Sequence, residues 1–110
     1  MPLLPPSSIA EQPVVWLERW RVLQADLVFR HFVGFCIADQ DGRVSTPIVS
    51  FNAVERTGIT ASGRRYILVG LPGFDDDAEY VWECYSRVFG IKEVVDVSEE
   101  YVGPAVKPFG

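Results

Sequence analysis

A chain of 110 residues, 48% hydrophobic and 23% charged, has room for one globular domain and is too apolar to be disordered. Its net charge of −5, its two lysines and the lack of a basic run longer than Arg64-Arg65 argue against nucleic acid as a partner. No apolar stretch approaches the roughly 20 residues of a bilayer span, and the proline-broken start Met1-Pro2-Leu3-Leu4-Pro5-Pro6 has no basic n-region, so a cytoplasmic setting without membrane contact is expected.

Residues 1–13 read as a flexible Pro-rich leader, 14–102 as a single α+β domain and 103–110 as an extended tail. Val14 to Leu23 fits helical or strand spacing, and its Val and Trp content favours strand. Leu27 to Ala38 is a second β-like run, in which Gly34 marks a bulge or a close backbone approach. Asp39-Gln40-Asp41-Gly42 predicts a hairpin turn, because Asp and Gly accept positive φ. The returning strand, Arg43 to Phe51, contains Pro47, which cannot donate to a ladder and so predicts an edge or a bend. After Asn52 to Gly58, a short hairpin follows: Ile59-Thr60-Ala61, a Ser62-Gly63 turn, then Arg64 to Val69.

The strongest periodicity lies over 76–89, where Ala78, Val81, Trp82, Tyr85, Val88 and Phe89 form one apolar stripe and Glu79, Glu83 and Arg87 take the other side. Asp76 with Glu79 reads as a capping box, and Gly90 suits a left-handed stop. A last strand, Ile91 to Val97, follows. The expected architecture is α+β: a curved, mainly antiparallel sheet of about five strands with the 76–89 helix packed on one face.

Chemical motifs are sparse. Cys36 and Cys84 match no redox or zinc spacing and read as reduced, buried thiols, and with one histidine no metal site or cofactor is expected. Gly70-Leu71-Pro72-Gly73 before a helix resembles a phosphate loop in outline, but Asp75, Asp76 and Asp77 occupy the anion's place; they read as acids complementing the helix dipole. His31 has no carboxylate or serine motif beside it, and no nucleophile elbow is present, so an enzyme is the lesser expectation.

Two binding surfaces remain. Trp16 and Trp20, flanked by Arg19 and Arg21, are interface candidates, with core packing as the competing reading. His31, Tyr66, Tyr85, Asp75, Asp76 and Asp77 are the conceivable polar lining of a pocket between sheet and helix. Residues 1–68 carry seven arginines against six acids, and 69–110 carry three basic residues against nine acids. That opposition suggests self-association, most simply a homodimer, or capture of a partner's basic surface.

Val44 to Val49 together with Thr60 to Gly73 resembles a pattern met in short bacterial proteins of the accessory, mobile-element gene pool, which carry no assigned activity. The likeness is confined to those two segments. It implies a compact β-rich domain and transfers no functional residue. The expected function is a small, self-associating protein-interaction module; the alternative is a small-molecule binder or enzyme using the pocket between sheet and helix.

Overall fold

The computed structural model describes residues 13–102; the segments 1–12 and 103–110, which hold nearly all of the expected leader and the expected tail, lie outside the described residues. The chain runs β1 (Val14–Ala25), β2 (Phe29–Cys36), β3 (Asp41–Val44), β4 (Ile48–Asn52), β5 (Thr57–Thr60), β6 (Arg65–Leu68), α1 (Asp76–Phe89), β7 (Val94–Asp96) and a 3-10 turn over Ser98–Tyr101. The fold is α+β, and the ambiguous first segment is a strand. Seven strands, more than the expected five, form one sheet in the order β3-β2-β1-β6-β5-β4, with β7 also on β1. All pairings are antiparallel except β1 with β6. Among the described residues no helix is long and apolar enough to cross a membrane.

Much of the difference in strand count lies at Pro47. The run expected as one strand, Arg43 to Phe51, breaks at residues 45–47 into β3 and β4, which end the sheet order at opposite ends. Both readings of Pro47 therefore hold: it sits where the chain bends, between two edge strands. With its two ends tied by three residues the sheet must curl, and the Phe32 and Phe51 rings meet at 6.3 Å across the hollow.

β1 is the strand around which everything else is arranged. Between Glu18 and Arg21 it holds one more residue than β2 opposite, and Arg19 there has φ 47°. Because side chains alternate, one extra residue switches the phase. Val15 and Leu17 before the bulge, and Trp20 and Val22 after it, all enter the hollow, where they join Phe32, Cys36, Tyr66, Leu68 and Tyr101. Leu23 and Ala25 turn to the opposite face and pack with Val33, Ala78 and Trp82 under the helix. Gly34 lies opposite the bulge, where a Cβ would come within 3.0 Å of Trp20 Cα.

A three-residue connection, Asp26-Leu27-Val28, links β1 to β2; Asp26 and Leu27 have positive φ, and Val28 N–H donates to Ala25 O. The sequence carries no glycine there. Asp26 is held instead by the chain beyond the helix: its Oδ1 accepts from the backbone N–H of Lys92 and Glu93, and its own N–H donates to Glu93 O.

The helix spans the expected residues, with two corrections. Its N-cap is Asp75, not Asp76: the Asp75 carboxylate accepts from Ala78 N at 3.0 Å, leaving Asp76, Asp77 and Glu79 in the first turn. The apolar stripe is also narrower, because Val88 and Phe89 are exposed and burial rests on Ala78 and Trp82. Gly90 closes the helix at φ 64°, ψ 32°. Gly90→Val should therefore cost about 1–2 kcal/mol in backbone strain, read as a lowered denaturation midpoint. An unchanged midpoint would mean that the helix ends otherwise.

The last strand is only three residues long, since Ser98 ends it. Its Oγ accepts from Val22 N at 2.9 Å and its N–H donates to Asp96. Burial alone would raise the Asp96 carboxyl, yet the Ser98 donors and the Arg21 guanidinium hold it below its usual range.

Candidate functional site

The expected interface and pocket residues separate in space. Trp20 is 0% exposed: its Nε1–H donates to Gly70 O at 3.2 Å, Gly73 N–H donates to Trp20 O, and the Arg56 guanidinium lies over its ring and also donates to Gly70 O. The Gly70-Leu71-Pro72-Gly73 turn is thus a clamp on the core tryptophan. Trp16 remains 49% exposed. Arg19 pairs with Glu18 and Asp75 and covers the Phe35 ring, while Arg21 binds Glu79 in a two-pronged contact and reaches Asp96.

These pairs change the meaning of the charge asymmetry. Arg19, Arg21 and Arg30 of the N-terminal part meet Asp75, Glu79, Asp96 and Glu100 of the C-terminal part within one chain. Part of that complementarity is therefore met inside the domain.

Of the pocket candidates, Tyr66 lies in the hollow with Phe32 at 5.4 Å and its hydroxyl accepting from Arg43 Nε. Asp75, Asp76 and Asp77 stand at the start of the helix, far along it from Tyr85. His31 and Tyr85 are the two that the fold brings together, their rings 5.2 Å apart edge to face.

They line a groove of about 480 Å³ between the β1–β2 turn, the chain at 46–47 and the C-terminal end of α1. Val28, Phe29, Pro47, Phe89 and Ile91 supply its apolar walls, and Asp26, His31, Thr46 and Tyr85 its polar atoms. Tyr85 and Phe89 stack one turn apart with centroids at 4.5 Å. Sequence reasoning missed Val28, Phe29 and Phe89. The first two sat in an apparently continuous strand, and Phe89 belonged to a stripe that looked fully buried.

His31 is the most constrained polar group of the groove, 3% exposed and packed against Trp82 at 5.6 Å. Its Nδ1 faces Ser45 O at 2.9 Å, and a carbonyl only accepts, so the proton sits on Nδ1. Nε2 is then a bare acceptor, with no hydrogen-bond partner among the described residues. Burial pushes the imidazole below its usual range, opposed in part by the Ser45 carbonyl. Burial likewise raises the Tyr85 phenol.

A lowered histidine pKa has a definite sign. The unfolded chain binds the proton first, so the His31 contribution is complete above about pH 6.5 and is lost as pH falls below that value. Urea midpoints should fall from pH 7.5 to pH 5.5, and His31→Gln should flatten that decline. Equal pH slopes in the two proteins would show that His31 titrates alike folded and unfolded.

Cys36 lies in the hollow and Cys84 on the helix, and no disulfide joins them. Among the described residues no group of three or more His, Cys, Asp or Glu is placed to hold a metal ion. Comparison with protein-family models, with curated proteins and with solved structures finds no match.

Proposed function

We propose that this protein is a binding protein whose working surface is the groove between sheet and helix, and that it takes a small, largely apolar molecule. The observation that carries the reading is the buried His31 in the lining of this groove, one ring nitrogen committed to the Ser45 carbonyl and the other without a hydrogen-bond partner among the described residues. A volume near 480 Å³ falls within the range of small-molecule pockets. Binding is favoured over catalysis because the Nδ1 partner is a main-chain carbonyl, not the carboxylate that orients a histidine base. A cytoplasmic, bacterial accessory-gene setting belongs to the same proposal, supported by the resemblance of the 44–49 and 60–73 segments. Titration with 2-(1-naphthyl)ethanol and 1-ethylnaphthalene, two probes with one apolar body, should move amide resonances of residues 25–31 and 85–91. Shifts confined to other residues, or no binding of any probe of this type, would overturn it.

Self-association is the second reading, favoured by the exposed apolar rim of Leu27, Val28, Val49 and Val88 at the same end of the molecule. With Trp20 buried, a dimer would centre on that end, covering on the order of 1,200–2,000 Å² in total. Sedimentation equilibrium at micromolar concentration is then expected to give a dimer mass that Val28→Asp reduces to a monomer. A monomer mass in the unaltered protein removes this reading.

A further inference from the structure

The groove makes a specific demand on what fills it. A ligand that covers His31 removes water from Nε2, and an acceptor left bare in an apolar cavity is costly. Because Nδ1 carries the proton, Nε2 can be satisfied only by a donor. The rest of the lining agrees: among the described residues Asp26 is its one carboxylate and no lysine or arginine belongs to it, and Phe29, Tyr85 and Phe89 offer flat ring surface. An anionic head would meet the lone pair of Nε2 and the Asp26 carboxylate with no cation among the described lining residues to offset them.

We propose that the ligand is an amphipathic molecule with an aromatic or otherwise flat apolar body and a single hydrogen-bond donor head, a hydroxyl or an amine, seated on His31 Nε2. This rests on the groove being the working surface. Body and head have separate roles: the rings of Phe29, Tyr85 and Phe89 hold the body through apolar contact, and the bare acceptor selects the head. Discrimination against a molecule lacking the donor is the stronger effect, since a site that buries an unpaired polar group rejects the analogue that leaves it so.

A matched series with one body separates the two parts of the idea. The probes are 2-(1-naphthyl)ethanol, 2-(1-naphthyl)ethylamine, 1-naphthylacetate and 1-ethylnaphthalene, titrated into the full chain at pH 7.5 with ¹⁵N resonances of the His31 ring followed. The alcohol and the amine should bind about tenfold more tightly than the hydrocarbon and the carboxylate. Only those two should move the Nε2 resonance, while Nδ1 keeps its proton. Phe89→Ala, at an exposed position, should weaken all four probes. Equal binding of the four with Nε2 unmoved overturns the donor inference and leaves the groove reading standing. Failure of every probe to perturb the groove overturns both. A ring whose proton is found on Nε2 overturns the inference before any probe is added.

Discussion

Gly42→Ala is expected to cost about 3 kcal/mol, at the upper end of overpacking penalties, and to loosen the helix from the sheet. A Cβ at this position would stand 2.2 Å from Ala78 N and 2.3 Å from Asp77 C. Both are backbone atoms of the first helical turn, so no side chain can swing away to make room. The turn would have to lift, taking Ala78 and Trp82 off Leu23, Ala25 and Val33. Thermal denaturation with near-ultraviolet circular dichroism reports both the loss of stability and the loosened Trp82. A melting temperature within a degree of the unaltered protein would mean that the helix does not approach β3 so closely.

Trp20→Ala should be the most damaging aromatic truncation, at about 4–5 kcal/mol. Removing the indole empties a site with no solvent exposure, deprives the Gly70 carbonyl of one of its donors and takes away the ring beneath Arg56. Trp82→Ala should follow at about 3 kcal/mol, because that side chain keeps 7% exposure where Trp20 has none. Trp16→Ala, half-exposed on the outer face, should stay under about 1 kcal/mol. Chemical denaturation of the three variants yields the order directly. A Trp16 variant as damaged as the Trp20 variant would contradict the phase switch at the bulge.

Periodicity made the helix legible, and turn chemistry made two hairpins legible. The failures have physical causes. Gly42 looked like a residue chosen for a left-handed turn, yet the positive φ in that turn belongs to Gln40; Gly42 is small because a helix arrives there from 35 residues further along the chain. Local pattern contains no term for such an approach. Trp16 and Trp20 looked equivalent because strand parity puts them on one face, and only the extra residue between them separates exposed from buried. Asp26-Leu27 concealed a turn because its left-handed residues are held by the Lys92 and Glu93 amides, not by glycine. The groove inherits that invisibility: its walls come from this turn, from the break at Pro47 and from the far end of the helix. His31 and Tyr85 could be named from sequence as polar residues near a sheet–helix boundary, but their shared orientation could not.

The position of β1 in the chain bears on how the domain is made. Its partners along one edge are β6 and β7, roughly fifty and seventy residues downstream, and only β2 is a neighbour in sequence. During synthesis the β1–β2 hairpin can close early through its short turn, but beyond Phe32 and Cys36 the cover of Val15, Leu17 and Trp20 waits for Tyr66, Leu68 and Gly70, and that of Leu23 and Ala25 for the helix. Pairings of such long sequence separation place folding toward the slow end for a chain of this size. Through that interval the nascent protein carries the strand that supplies most to its core without its final partners, the period in which chaperone contact and misassembly compete with folding.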